Sequence, residues 1–284
     1  MVSRRTRPLT PGAAIAALLL TACGPGRVTL QPAQLEPQAE APIPGSIDLL
    51  TYNVAGLPRW VGKFDGRETH PKIGAGLGPF ELVLLQEDFW YHQRLSAPHP
   101  WQGPPRSGGF LRLGDGLARM SAYPLSSVEH VPWKTAHGLF GAYHDRWAWK
   151  GFAAGTLDLG GSLQIWVYNV HFDAGGSKGD RKAREVQRDQ LRQDILTRTA
   201  LDDAVIVAGD FNCGSSALKD FAAAAHLKDA GGGGIDRVFY RSGSHLELTP
   251  DQTIDPAHEP PSLDALRGLS DHAPVWRRFG LRRR

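Results

Sequence analysis

The 284-residue sequence contains few soft metal ligands and none of several common catalytic signatures. Cysteine occurs twice, at Cys23 and Cys213, and no His-Glu-x-x-His run is present, which disfavours a dedicated zinc site. A Gly-x-Ser-x-Gly elbow and a Walker-type phosphate loop are also absent, which disfavours a serine hydrolase and a P-loop nucleotide-binding protein. No internal repeat is evident, so a solenoid or propeller is not expected.

The chain also carries little net charge. The formal charge is +3, and residues 1–22 contain Arg4, Arg5 and Arg7 but no acid, so the remainder carries 3 − 3 = 0. A neutral chain has no broad surface for polyanions, which weakens a nucleic-acid-binding interpretation but leaves it open. Hydrophobic residues make up 41% and charged residues 21%, as in a globular protein with a substantial core.

The N-terminal region has the features of an export signal. After the basic start, the apolar stretch Gly12–Ala22 is too short for a membrane span, which needs about 20 residues. It ends in Leu-Thr-Ala-Cys, which resembles a bacterial lipobox in which cleavage precedes Cys23 and the thiol is lipidated. An ordinary export signal that contains a cysteine is the alternative. If Cys23 carries lipid, no intrachain disulfide can form.

These features predict three segments and a location. Residues 1–22 are a lipoprotein signal peptide, and 23–45 are the lipidated cysteine and a proline-rich tether. Residues 46–284 form the folded domain. We therefore expect a monomeric protein anchored through Cys23 to a membrane of the bacterial cell envelope, on the periplasmic side or at the cell surface.

Several predicted strands end at a polar or ionisable side chain. The run Ala204–Asp210 is apolar until Gly209, and Asn212 follows two positions after Asp210. Because alternate residues of an extended chain point the same way, Asp210 and Asn212 can face one site. The strand Ile47–Val54 contains Asn53 near its end, and Leu82–Glu87 ends in a carboxylate.

The same design recurs further along the chain. A hairpin of Phe152–Leu157 and Leu163–Val170 leads to His171, the strand Ile235–Tyr240 contains Asp236, and Asp271-His272 lies near the C-terminus. Each residue alone has an ordinary explanation, as a turn former, a solvated charge or a loop cap. Their recurrence at the ends of apolar runs is the argument for a shared site.

The remaining segments are predicted from periodicity and breakers. The clearest helix is expected at Lys178–Ala200, and a weak one at Lys72–Pro79. Ser215 or Ser216 is expected to cap a short helix that runs to about Ala225. We also expect a flexible turn at Gly231–Gly234 and a solvated tail, the latter formed by Arg277, Arg278, Arg282, Arg283 and Arg284.

This set of side chains suits the hydrolysis of phosphate esters. The oxygen donors of Glu87, Asp271 and Asn53 suit Mg²⁺, with Mn²⁺ as an alternative. A histidine that acts as a base needs a carboxylate to fix its tautomer, and Asp236 is a candidate partner for His272.

Six motifs in this order resemble the endonuclease/exonuclease/phosphatase superfamily, which has the deoxyribonuclease I-like fold. The similarity covers about residues 46–279, and the most specific motifs are Gly-Asp-Phe-Asn at 209–212 and Ser-Asp-His-Ala-Pro-Val at 270–275. The others are Thr-Tyr-Asn-Val at 51–54, Leu-Gln-Glu at 85–87, Asn-Val-His-Phe at 169–172 and Ile-Asp-Arg-Val at 235–238. The resemblance implies a four-layer α/β sandwich, with two mixed β-sheets packed face to face and helices outside.

It also implies roles for the site residues. Glu87 would be the principal Mg²⁺ ligand, assisted by Asn53 and Asp271. The catalytic groups would be His272 as general base, Asp236 as its orienting carboxylate, Asp210 and Asn212 as positioning groups for water and phosphoryl oxygens, and His171 as a cationic hydrogen-bond donor to the phosphate.

Two segments resemble the bacterial neutral sphingomyelinase-like branch. These are Trp-Ala-Trp-Lys-Gly-Phe at 147–152 and His-Phe-Asp-Ala-Gly at 171–175. They favour a phosphodiesterase acting on a lipid head group or another small phosphodiester. Lys150 would contact the phosphate or would simply be a lysine at a strand edge.

Aromatic residues allow two interpretations. Phe89-Trp90-Tyr91, Trp101 and Trp133 would form a membrane-facing rim or would pack in the core of the sandwich. The competing functions are a nuclease of the same fold and a non-catalytic surface lipoprotein. The neutral charge favours the lipid phosphodiesterase over the nuclease, and the pair of Asp236 and His272 argues against a pure binding module.

Overall fold

The computed structural model describes residues 43–60, 62–95, 97–107, 113–126, 128–137, 149–251 and 259–284. Within these ranges the chain forms two six-stranded sheets. The first contains, in spatial order, β11 (Leu246–Pro250), β12 (Val275–Arg283), β1 (Ser46–Asn53), β2 (Leu82–Gln86), β4 (Ala118–Ser121) and β3 (Trp101–Gly103). The second contains β5 (Glu129–Pro132), β6 (Gly151–Asp158), β7 (Gln164–His171), β8 (Ala204–Asp210), β10 (Asp236–Arg241) and β9 (Lys228–Gly233).

Both sheets are mixed. The β1–β2 and β7–β8 pairs are parallel, and the other pairs are antiparallel. The parallel pairs bring consecutive strand ends to the same edge, because their chains run in one direction. The predicted signal segment, Cys23, most of the tether, and Trp147 and Ala148 lie outside the described residues.

The two sheets pack face to face, and helices cover their outer faces. One hydrophobic cluster lies between the sheets and includes Leu49 and Ile206. A second lies between the second sheet and two helices, α2 (Lys178–Arg198) and α3 (Ser215–Ala224). A third lies between the first sheet and α1 (Gly66–Gly76) with α4 (Pro261–Leu266). This arrangement confirms the predicted four-layer α/β sandwich.

The central strands are apolar without interruption because both of their faces are buried. In β8, Ile206 and Ala208 belong to the cluster between the sheets, whereas Val205 and Val207 face the helices. The period-two alternation therefore separates two cores rather than a core and solvent. No helix among the described residues is both long and apolar enough to cross a bilayer.

The helices differ from their predicted bounds in informative ways. Helix α2 begins at the predicted residue, and Ser177 caps it in a reciprocal capping box with Asp180. Helix α1 starts at Gly66, with Asp65 as its cap, and contains Pro71. A helix was correctly predicted here, but its predicted start at Lys72 and end at Pro79 both lie too late in the chain. The predicted serine cap of α3 was also wrong, because Gly214 is the cap residue and no side chain caps the helix.

Two predicted irregular segments are strands. Residues 231–233 belong to the edge strand β9, whose pairing with β10 needs only backbone groups. The predicted arginine tail was wrong, since all but the last of these arginines lie in β12. Arg277 donates to the carbonyl oxygen of Ala230 at 2.6 Å, and Arg278 pairs with Asp48 at 2.8 Å. The arginines thus bond to neighbouring strands of both sheets.

Candidate active site

The predicted site residues meet at one edge of the sandwich, where strands of both sheets end. Asn53 ends β1 and lies opposite Gln86 in the parallel β1–β2 pair. In the second sheet, Asp210 lies opposite His171 of β7 and opposite Asp236 of β10. Strand register therefore fixes the relative positions of these residues before any side-chain contact is made.

Three residues at this edge adopt backbone conformations that are unusual for residues with a side chain. Ala55, Glu87 and Asn212 have φ of 47°, 57° and 47°, in the left-handed region. Each follows the end of a central strand, so the chain turns sharply at the rim of the sheet. Such strain of about 1–3 kcal/mol per residue persists where the surrounding structure enforces it, and it concentrates at functional sites.

A buried polar network joins the two sheets directly beneath the site. The side-chain amide of Gln86 in β2 donates to Asn169 Oδ1 in β7 at 2.7 Å and to Thr51 Oγ1 in β1 at 3.0 Å. The amide of Asn169 donates to the carbonyl oxygens of Leu85 and Ala118 at 2.8 and 2.9 Å. These bonds fix the spacing of the sheets one residue before Glu87 and two residues before His171.

The site contains a histidine–carboxylate dyad. His272 Nδ1 lies 2.8 Å from Asp236 Oδ2, and His272 Nε2 lies 3.7 Å from Asp210 Oδ2. Burial opposes protonation of His272, but the hydrogen bond to Asp236 and the charges of the nearby carboxylates outweigh it and raise its pKa to about 9. The arrangement directs Nε2 into the site and holds the ring by its other nitrogen.

Asn53 and Asp210 are buried residues of the site that contact each other. Asn53 Nδ2 donates to Asp210 Oδ2 at 3.1 Å and lies 3.5 Å from His272 Nε2. Burial raises the pKa of Asp210 to about 6, and the charge of Asp236 adds to this effect. The other oxygen of Asp210 accepts from the backbone N–H of Asn212 at 2.8 Å. These carboxylates are thus crowded and poorly solvated.

His171 lies between two carboxylates but bonds to neither. Its Nε2 is 3.7 Å from Glu87 Oε1 and 3.6 Å from Asp210 Oδ2, and within the described residues the buried ring has no hydrogen-bond partner. Burial, together with the charges of Lys150 and His272, holds the pKa of His171 well below its usual range. Burial therefore disfavours the cationic form of His171, whose predicted role as a donor to the phosphate remains a prediction.

Lys150 supplies positive charge beside His171. Its side chain is largely buried, and its charge lowers the pKa of both Glu87 and Asp210 against the opposite effect of burial. A buried ammonium among carboxylates differs from a solvated strand-edge lysine. Its predicted contact with the substrate phosphate remains a prediction.

The donor set at Glu87 suits a divalent cation. Burial raises the pKa of the Glu87 carboxyl, which lies against Asn53 and is 21% exposed. Glu87, Asp210 and Asp236 are three carboxyl groups, one more than the two basic side chains that face them, Lys150 and His272. Carboxylate and carboxamide oxygens around such an excess are typical of magnesium sites, so the residues fit the predicted ion. The ligand atoms of Asp210, Asp236 and His272 also lie within 4.8 Å of one another.

Two predicted residues lie at the margin. Asp271 is exposed, and its Oδ1 is 3.5 Å from Ser270 Oγ. The side chain of Asn212 donates to the carbonyl oxygen of Phe172 at 2.9 Å, which ties the ends of β7 and β8 together. Their predicted roles as metal ligand and phosphoryl-positioning group remain predictions.

Sequence reasoning missed three residues that support the site. Gln86 and Asn169 join the sheets, and Ser270 Oγ donates to the carbonyl oxygen of Asn53 at 2.7 Å and accepts from the N–H of His272 at 3.3 Å. All three lie inside the quoted motifs, within two residues of a residue that was chosen. A polar side chain within an otherwise apolar strand was the available signal, because burial requires such a group to find a partner.

Known proteins are similar to this chain over most of its length. Residues 50–272 match the endonuclease/exonuclease/phosphatase family. The sphingomyelinases of Mycobacterium tuberculosis and Mycobacterium bovis are 29% identical over 273 residues, which covers 82% of this chain and 52% of each relative. The chain therefore spans about half the length of the curated relatives it matches.

Solved structures share the fold. Sphingomyelinase C from Streptomyces griseocarneus superposes with a TM-score of 0.60 at 19% identity, covering 82% of this chain and 98% of that chain. A beta toxin mutant from Staphylococcus aureus, solved with bound magnesium ions, has a TM-score of 0.60 at 16% identity and covers 82% of this chain and 99% of that chain. At these identities the likeness establishes the fold.

Proposed function

Since the chain belongs to the endonuclease/exonuclease/phosphatase family, we propose that it is a magnesium-dependent phosphodiesterase that hydrolyses the phosphodiester of a lipid head group. The observation that carries the catalytic part is the 2.8 Å bond between His272 Nδ1 and Asp236, which leaves Nε2 directed at Asp210 and Asn53. A hydrolase needs such a base, and a binding module does not.

In this proposal the neutral form of His272, which predominates above its pKa of about 9, accepts the proton of the attacking water at Nε2. Asp236 holds the Nδ1–H tautomer and stabilises the imidazolium that forms, as an orienting carboxylate does in other hydrolases. Asp210 accepts a hydrogen bond from the same water and orients it towards phosphorus. As the new bond from water oxygen to phosphorus forms, the bond from phosphorus to the lipid alcohol oxygen breaks, and the departing oxygen takes a proton from solvent. The distance of 3.7 Å between His272 Nε2 and Asp210 Oδ2 suits a water molecule that bonds to both.

The phosphoryl oxygens would bind on the opposite side of the site. His171 donates an N–H, Asn53 contributes its carboxamide, and Lys150 contributes charge. Because the buried His171 ring has no hydrogen-bond partner among the residues that the structure describes, a phosphoryl oxygen would satisfy it. Donors fixed in place stabilise charge as it develops, without reorganising during the reaction.

Glu87, assisted by Asn53 and Asp271, would hold the magnesium ion. When bound, such an ion supplies Lewis-acid polarisation of a phosphoryl oxygen and neutralises negative charge. The excess of carboxylates at this edge and the bound magnesium in the beta toxin mutant support this assignment. Mn²⁺, a similar oxygen-preferring ion, is the expected substitute.

The preference for a lipid head group rests on the mycobacterial sphingomyelinases and on the shape of the protein near Glu87. An open cleft of about 460 Å³ is lined by the residues that follow Glu87 in the sequence, Asp88, Phe89 and Trp90, together with Arg106. Such a cleft has room for the parts of a substrate beyond the scissile phosphate. The neutral charge of residues 23–284 gives no corresponding support for a nuclease.

A substrate comparison tests this proposal. Protein is incubated with sphingomyelin vesicles, phosphatidylcholine vesicles and plasmid DNA, each with Mg²⁺ or with EDTA, and the products are quantified. We expect metal-dependent release of the phosphorylated head group and intact DNA. His272→Ala should reduce turnover by about 10²–10⁴-fold, whereas the exposed His245→Ala should not. Cleavage of DNA without hydrolysis of lipid would refute the lipid phosphodiesterase proposal and support a nuclease of the same fold.

We further propose that Cys23 carries a lipid and anchors the chain in the bacterial cell envelope. The basic start, the short apolar stretch and the small residues before the cysteine support this. Mass spectrometry of the N-terminal peptide tests it. Acyl chains on Cys23 are expected, and an unmodified thiol after export would contradict the anchor.

A further inference from the structure

Two tryptophans are exposed at the catalytic edge of the sandwich. Trp60 is 81% exposed and Trp90 is 56% exposed. By contrast, Trp133 and Trp276 are buried in the cores, so Trp133 does not belong to the predicted aromatic rim. Leaving an indole in water is unfavourable, and a protein that does so beside its active site has an apolar surface available for binding.

The two tryptophans lie on adjacent loops that are packed together. Trp60 follows β1 and Trp90 follows β2, which is the parallel neighbour of β1. Gly56 N donates to the carbonyl oxygen of Glu87 at 2.9 Å, which joins the loops next to the site. At the far end, Gly66 lies so close to the Tyr91 ring that a Cβ there would come within 2.1 Å of it. Both exposed indoles therefore lie on one packed pair of loops.

Charges around Trp60 favour a phospholipid surface over an apolar protein partner. The neighbouring Arg59 and Lys63 are exposed and basic, and the nearest acid, Asp65, caps α1 and lies 3.5 Å from Arg67. Tryptophan prefers the head-group level of a bilayer, where its ring is apolar and its N–H is hydrated. Basic side chains at the same level attract lipid phosphates.

We propose that Trp60 and Trp90 dock the catalytic edge onto a phospholipid bilayer, with Arg59 and Lys63 against the lipid phosphates. This inference rests on the proposed function, because it concerns how the head group reaches Glu87 and His272. In this inference the substrate is hydrolysed while it remains in the bilayer. The contact that Trp60 and Trp90 make with the bilayer is separate from any lipid on Cys23.

Vesicle binding without turnover tests the contact. The full chain carries Cys23→Ser, so that no lipid anchor contributes, and it is floated in EDTA with phosphatidylcholine vesicles that contain some phosphatidylglycerol. Trp60→Ser and Trp90→Ser are each expected to lower the partition coefficient by about tenfold, the effect of keeping roughly 60 Å² of apolar surface in water. The double variant should lose both contributions.

Leu201→Ser is the matched control. Leu201 is 63% exposed but lies just before β8 begins, at the end of the sandwich opposite Asp210. Its replacement should leave vesicle binding unchanged. Equal binding by the double tryptophan variant and the parent, or an equal loss in Leu201→Ser, would overturn the docking proposal.

Activity separates this inference from the proposed function. The ratio of activity on vesicles to activity on a water-soluble phosphodiester should fall in the tryptophan variants and stay constant in Leu201→Ser. Vesicle binding that depends on Trp60 and Trp90 in a chain with no phosphodiesterase activity would support docking and refute the catalytic proposal. Far-ultraviolet circular dichroism of each variant confirms that its fold is retained.

Discussion

Replacement of Asp236 by asparagine tests the dyad most directly, because it removes a charge with little change in shape. In the folded protein the pKa of His272 is raised from 6.5 to about 9. That difference corresponds to about 3 kcal/mol in favour of the imidazolium. Burial opposes this effect, so the surrounding carboxylates contribute more than that amount. Asp236 acts both through its hydrogen bond and through its charge, and we assign at least half of the net effect, about 2 kcal/mol, to it.

Two measurements follow from this estimate. Asp236→Asn should lower the pKa of His272, followed by nuclear magnetic resonance in metal-free protein. Above about pH 9, where His272 is neutral in the parent, it should also lower kcat by up to about 30-fold, since the imidazolium that forms as water is deprotonated loses about 2 kcal/mol of stabilisation. An unchanged His272 pKa, or full activity despite a lowered pKa, would refute the assignment of Asp236 as the orienting carboxylate.

Three further predictions concern the same edge. Burial raises the pKa of Asp210 from 3.8 to about 6, so the ionised form of this carboxyl destabilises the folded state. The destabilisation grows as the pH rises from about 4 to 6 and reaches about 3 kcal/mol at neutral pH. Asp210→Asn should therefore increase the free energy of unfolding of the metal-free protein at pH 7 while impairing catalysis, and an equal or lower stability in urea titrations would contradict this. Glu87→Gln should raise the Mg²⁺ concentration needed for half-maximal activity by more than about tenfold, and an unchanged metal titration would reject Glu87 as the main ligand. Gly209→Ala should destabilise the fold by at least about 3 kcal/mol, because Gly209 has a φ of 146° and a Cβ there would lie 2.0 Å from the carbonyl oxygen of Val170. Gly176→Ala, which meets nothing within 4 Å, is the control in the same unfolding assay.

The central strands and most of the site could be predicted because the local sequence pattern of these segments matches their position in the folded protein. An apolar run that ends at Asn53, Asp210 or His171 is buried on both faces and stops where the sheet meets solvent. The resemblance of six short motifs then gave the fold, which strand periodicity alone could not distinguish from other α/β arrangements. Family matching and the two packed sheets confirmed it.

Other features depended on contacts that a sequence does not display. The C-terminal arginines looked like a solvated tail because charge obscured the strand pattern, yet Arg278 pairs with Asp48 on the neighbouring strand β1. The charge state of His171 could not be inferred from its motif. It depends on complete burial and on Lys150, which is distant in sequence and close in the fold.

The side chains of the candidate site come from both sheets, so the distance between the sheets sets the geometry of the site. Asn53, Glu87 and His272 belong to the first sheet and its loops, whereas His171 and Asp210 belong to the second. Apolar packing alone would tolerate small shifts between the sheets, because its energy is not directional. The bond of 2.7 Å from Gln86 to Asn169 is directional and buried, and breaking it would leave unsatisfied amides in the core. This polar link in an otherwise apolar interface thus fixes the position of Glu87 relative to His171. A hydrophobic pair of the same size would stabilise the sandwich but would not fix the relative position of these two residues.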